Sequence, residues 1–194
     1  MCNRSIPTPI FPNPCSRRRA EARRRLVRIL GIDPGSVTTG FAVIDADKGR
    51  LTHVASGCIA AGSGEFPARL RTIFDGISAV VEEHRPSEVA VEKVFVARNA
   101  QSALKLGQAR GAAICGAVQA ALPVAEYSPT EIKQAVVGRG AAGKEQVQHM
   151  VGVLLSLRGA LQSDEADALA VAICHAHTRA SAVAMAARRA GRSA

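Results

Sequence analysis

The sequence predicts an α/β fold: one mixed sheet of five strands with helices on both faces. Three observations carry that expectation. Residues 27–60 hold three apolar, strand-prone runs with no helix-length segment between them, residues 65–177 alternate helical and strand patterns, and two of the strand-like runs end on a carboxylate, Asp33 and Glu92. Strands joined by short turns pair antiparallel, whereas strands separated by a helix pair in parallel through a crossover, so the two halves meet in a mixed sheet.

Element by element, residues 27–33 read as a first strand, 40–45 as a second and 51–60 as a third, with Asp47-Lys48-Gly49 supplying turn chemistry between the last two. Residues 65–84 place Leu70, Ile73, Phe74, Ile77, Val80 and Val81 at helical spacing, and Arg85-Pro86 closes that helix. A strand at 88–92 follows, then a helix over about 99–122, a strand at 123–127, and helices near 130–137, 144–157 and 164–177. There is no internal repeat. In the helix that starts near 99, the small residues Ala100, Ala103, Gly107, Gly111 and Gly116 allow close approach, either by a neighbouring element or by a second subunit.

Composition bounds the class. The chain has 194 residues, 47% of them hydrophobic, enough for one domain with a proper core. Its formal charge of +9 is uneven: residues 1–28 balance at +7 and residues 179–194 at +4, leaving 29–178 at −2. The basic character therefore belongs to the ends, where it argues only generally for attraction to polyanions. Residues 1–26 are expected to be a disordered basic extension, broken by Pro7, Pro9, Pro12 and Pro14, residues 27–178 the folded domain, and residues 179–194 a basic tail. Five cysteines without a CxxC suit a reducing interior, no apolar run reaches membrane-spanning length, and the N-terminus lacks a secretory core, so the expected location is cytoplasmic.

Function is carried by four carboxylates in three short motifs: Asp33 in Ile29-Leu30-Gly31-Ile32-Asp33-Pro34-Gly35, Glu92 ending Val89-Ala90-Val91-Glu92, and Asp164 with Asp167 in Ser163-Asp164-Glu165-Ala166-Asp167. Strand ends are where α/β folds place sites, and acids three apart on a helix share a face. Clustered carboxylates repel one another and retain protons unless a cation neutralises them. All-oxygen donors suit Mg²⁺ or Mn²⁺ rather than Zn²⁺, and two such ions about 4 Å apart activate water and stabilise a leaving oxygen in phosphodiester cleavage. Taken singly each acid has a plainer reading: Asp33 begins a turn, Glu92 is an exposed strand residue, and Asp164 favours a helix N-terminus.

The stretches GIDPGSVTTGFAVID, VEKVFVARNAQSALKLGQARG, KQAVVGRGAAGKEQVQHMV and SDEADALAVAICHAH, in this order across some 150 residues, resemble the RuvC family of crossover junction endodeoxyribonucleases. These are Holliday junction resolvases with a ribonuclease H-like fold. The resemblance implies that Asp33, Glu92, Asp164 and Asp167 are the catalytic metal ligands, of two Mg²⁺ ions per site with Mn²⁺ able to substitute, and that Lys133 and Lys144 are basic catalytic residues on the DNA backbone near the cut. It implies that Phe95 meets bases at the junction centre, and Arg98 and Asn99 continue into a loop suited to phosphate contact. The plainer readings are solvated lysines and a Phe95 buried under the next helix. His149 matches a family motif but has no evident chemical role, and packing within a helix is its expected use. The resemblance further implies a homodimer acting on four-way junction DNA, symmetric nicks that leave 5′-phosphate ends, and a branch-migration motor of RuvA and RuvB type as partner.

Two other classes share parts of this pattern. A non-catalytic branched-DNA-binding module usually lacks at least one carboxylate, and all four are present. An actin- or Hsp70-like nucleotide-binding lobe shares the strand, Asp and Gly-containing turn at its start, but such proteins need two lobes and a far longer chain.

Overall fold

The computed structural model describes residues 26–93, 99–159 and 161–190. Apart from Leu26, the expected N-terminal extension lies outside the described residues, as does the segment that holds Phe95 and Arg98. Strands β1 (Leu26–Asp33), β2 (Thr38–Asp47) and β3 (Arg50–Ala60) are followed by helix α1 (Phe66–His84), strand β4 (Glu88–Glu92), helix α2 (Ala100–Val118) and strand β5 (Val124–Tyr127). Helices α3 (Pro129–Val137), α4 (Lys144–Leu155) and α5 (Ser163–Ala190) complete the chain. The five strands form one sheet in the order β3-β2-β1-β4-β5, antiparallel across β1, β2 and β3 and parallel across β1, β4 and β5. The mixed five-stranded sheet expected from the sequence is therefore the one observed.

Local chemistry sets the boundaries. The β2–β3 hairpin closes on Lys48 and Gly49, both at positive φ (49° and 87°), with Asp47 paired to Arg50. That is the left-handed pair of a two-residue hairpin turn. Helix α1 has Pro67 in its first turn and stops at Arg85, itself left-handed, ahead of Pro86. Ser128 and Glu131 form a reciprocal capping box on α3, which ends at Gly138 with φ 78°.

Period-2 alternation divides the sheet residues between two cores. Leu30, Ile32, Val43, Val89 and Val91 face α1 and α2, where they meet Ile73, Ile77, Val80, Ala109 and Ala113. Val27, Ile29, Ala42, Ile44 and Ala90 face the other way, against Ile132, Val136, Val147, Val151, Leu169 and Ile173 of α3, α4 and α5. Helix α5 is buried on nearly every side between Ala166 and Cys174, because it lies between the sheet and the two helices before it.

Close approach of α5 to the sheet depends on two glycines. A Cβ at Gly31 would sit 2.3 Å from the Ala168 carbonyl oxygen, and one at Gly40 2.0 Å from the Asp164 carbonyl oxygen. Both obstacles are helix backbone, which cannot rotate aside. Gly31→Ala is therefore expected to lower the melting temperature by several degrees, at about 1–3 kcal/mol for overpacking and about 2–4 °C per kcal/mol in a chain of this size. Thermal unfolding followed by circular dichroism checks this, and an unchanged melting temperature contradicts the close contact.

Two elements differ most from the sequence expectation. The second strand is longer, starting at Thr38 and ending at Asp47. Helix α5 runs to Ala190 where a helix ending near 177 and a basic tail from 179 were expected. Alanines at 180, 182, 184, 186 and 187 carry high helix propensity, and Arg179 is tied to Glu88 at 2.9 Å, so the helix continues past 177. In α2, Gly116 meets the Phe74 carbonyl of α1, whereas Gly107 and Gly111 face open space.

Candidate active site

Strand parity brings the first two carboxylates together. Asp33 points to the same side as Ile29 and Gly31, and Glu92 to the same side as Ala90. Because Ile32 pairs with Val91 across the parallel β1–β4 ladder, the two acids end adjacent strands side by side. The first turns of α5, pressed onto Gly40 and Gly31, deliver Asp164 and Asp167 to the same place. Carboxylate oxygens of Asp33, Asp164 and Asp167 lie within 4.8 Å of one another. Glu92 stands outside that trio but shares a hydrogen bond with Asp33.

The cluster is electrostatically loaded. Burial first, then the charges of Glu92 and Asp167, push the Asp33 carboxyl up to about 8. Glu92 is also raised, by burial above all, with the Asp33 hydrogen bond and the charges of Lys144 and Lys133 opposing. Carboxylates gathered this closely, with Asp33 and Glu92 both raised, have the electrostatics of a cation site. The donor set fits a hard divalent ion: it is all oxygen, and the nearby Cys58 thiol is pushed up by burial and by Asp164, so it stays protonated.

Lys133 and Lys144 line the same cleft of about 220 Å³ as Asp33, Glu92 and Asp167. The Lys144 ammonium donates to Asp167 Oδ2 at 2.7 Å, which raises its own pKa. All six residues expected to be catalytic are thus close to one cleft. Asn99 caps α2, its side chain accepting from Gln101 N at 2.9 Å, which gives it a structural use. Phe95 and Arg98 lie outside the described residues. His149 is exposed on α4 rather than packed within the fold.

Three supporting contacts escaped the sequence reading. Arg110 of α2 donates to the Glu92 carbonyl at 3.3 Å and pairs with Glu126 at 2.9 Å, bracing the end of β4. Ser56 of β3 donates to Glu165 at 2.6 Å, with His53 Nε2 2.7 Å from the same hydroxyl, and so ties the first turn of α5 to the sheet. Arg69 donates to the Ser36 carbonyl in the loop after Asp33. A lone arginine among the small residues of α2 was the one available signal; the other two contacts span too much sequence to be read from spacing.

A 3-2-1-4-5 sheet carrying an all-carboxylate cluster at its strand ends defines a ribonuclease H-like nuclease. The family model described as crossover junction endodeoxyribonuclease RuvC matches residues 29–175. The chain belongs to the RuvC family of crossover junction endodeoxyribonucleases, which are metal-dependent enzymes. A crossover junction endodeoxyribonuclease RuvC of Aeromonas salmonicida is 59% identical over 160 residues, 82% of this chain and 92% of the relative. The RuvC of Pelobacter propionicus is also 59% identical, over 153 residues, 78% of this chain and 87% of its own. Among solved structures, T. thermophilus RuvC in complex with a Holliday junction substrate superposes with a TM-score of 0.76 at 35% identity, covering 80% of this chain and 96% of that one. The yeast mitochondrial Holliday junction resolvase Ydc2, at a TM-score of 0.58 and 12% identity over 78% of each chain, shares the fold. No helix among the described residues is long and apolar enough to cross a membrane.

Proposed function

We propose that this chain resolves Holliday junctions as a homodimeric, Mg²⁺-dependent endonuclease, each subunit nicking one of two opposed strands. The observation that carries the reading is the convergence of Asp33, Asp164 and Asp167 within 4.8 Å, beside Glu92 and two lysines, in a chain of the RuvC family. Asp33, Glu92, Asp164 and Asp167 would hold two Mg²⁺ ions, with Mn²⁺ able to substitute. Bound there, the ions supply a more acidic water and charge compensation at the leaving 3′ oxygen.

The protein's own groups do the rest. Asp33 would give up its proton on loading, and the pairing of β1 with β4 keeps its carboxylate beside Glu92 at the cleft. Arg110 and the Ser56–Glu165 contact fix the two ends of the ligand set, so that the acids need no rearrangement. Lys133 and Lys144 offer point charges to a phosphate entering the cleft and help most where negative charge builds in the transition state. Phe95, three residues after Glu92, is the proposed stacking residue at the junction centre, with Arg98 a phosphate contact. A C₂ dimer matches the approximate two-fold symmetry of a junction. A branch-migration motor of RuvA and RuvB type is the proposed partner.

The product chemistry tests the reading. Nicks made in a four-way junction are expected to be sealed directly by DNA ligase, because hydrolysis with a 3′ leaving oxygen leaves 5′-phosphate and 3′-hydroxyl ends. Linear duplex of the same sequence is expected to stay intact. Nicks that need end repair before ligation, or equal cutting of linear duplex, contradict it.

A further inference from the structure

We propose that Lys144 is the resident counter-cation of the acidic cleft: its ammonium holds Asp167 in the metal-free protein, leaves that carboxylate when a divalent ion loads, and is thereby released toward the phosphate. The inference rests on the metal reading above and adds an order of events to it. The Lys144 ammonium lies 2.7 Å from Asp167 Oδ2, and Asp167 is one of the three carboxylates gathered within 4.8 Å. An oxygen engaged in a charge-assisted bond of that length is not free to ligate a metal with the same lone pair. Lys144 therefore competes with the ion for Asp167 Oδ2 and draws on the same carboxylate charge.

Its position supports the reading. Lys144 is the first residue of α4, where the helix dipole disfavours a cation, so helix stability does not account for it. Its side chain is 55% exposed against 26% for Asp167, so the lysine reaches in from the solvent edge on a flexible stem and can withdraw the same way. Lys133 lines the same cleft but forms no ion pair among the described residues. It is the natural control for a general effect of positive charge.

The test measures Mn²⁺ binding alone, by calorimetry on the full chain, for wild type, Lys144→Ala and Lys133→Ala. Lys144→Ala is expected to bind Mn²⁺ about 5-fold more tightly, the scale of one partly exposed ion pair, while Lys133→Ala stays within about 2-fold of wild type. Metal-free Lys144→Ala is also expected to melt below wild type, with the gap closing at saturating Mg²⁺. Single-turnover junction cleavage by the same variant falls, so tighter metal accompanies slower chemistry. Equal or weaker Mn²⁺ binding by Lys144→Ala overturns the inference, as does an equal gain in Lys133→Ala. Wild-type protein that binds no Mn²⁺ overturns the metal reading as well.

Discussion

Asp33→Asn is expected to reduce junction cleavage by about 100-fold or more while junction binding is kept or tightened. Losing one charge-stabilising group slows hydrolysis on that scale. Asp33 belongs to the carboxylate trio and sits against Glu92, so its charge is needed to hold metal, while a carboxylate offers a phosphate no anchoring charge. Where Asp33 is ionised, its removal also lessens repulsion toward the phosphate backbone. Glu92→Gln and Asp167→Asn are expected to behave alike. Single-turnover cleavage beside a gel-shift titration checks all three, and near wild-type cutting by any two contradicts the assignment.

The same cluster makes metal-free stability fall as pH rises. Asp33 has its carboxyl pushed up to about 8 from an ordinary 3.8, so the folded protein holds a proton there that the unfolded chain releases. The stabilisation is full below about pH 4 and is lost as the pH climbs through about 8. In Asp33→Asn the amide donates to Glu92 at every pH, as the protonated acid does, and has no proton to lose. The variant is therefore expected to melt increasingly above metal-free wild type between those limits, by several degrees at the upper one, at about 2–4 °C per kcal/mol. Mg²⁺ is expected to raise the wild-type melting temperature most where the proton is gone, because binding to the folded state alone stabilises it. Parallel melting curves of the two proteins across pH in EDTA contradict the account.

Much of this molecule is legible in its sequence because local and global signals agree. The apolar runs at 27–33 and 88–92 give both strands and place Asp33 and Glu92 at their ends, and the SDEAD spacing gives the helical pair. What spacing does not give is depth. The approach of α5 to the sheet depends on Gly31 and Gly40 lying under helix carbonyls, a relation across more than a hundred residues that no local pattern carries. The contact of Ser56 with Glu165 is hidden for the same reason, whereas that of Arg110 with Glu92 had only a lone arginine in α2 to signal it. The end of α5 was missed differently: alanine propensity and the Arg179–Glu88 pair extend a helix whose charge alone reads as a solvated tail.

The central claim is that one carboxylate cleft per subunit cuts two opposed strands of a junction. A synthetic four-way junction with each strand separately end-labelled, incubated with the full chain in Mg²⁺, tests this most directly. The account predicts nicks at symmetric positions in one opposed pair of strands, none in EDTA and almost none with Asp33→Asn. Cleavage that persists in EDTA, survives the Asp33 substitution, or falls on single strands without symmetry would contradict it.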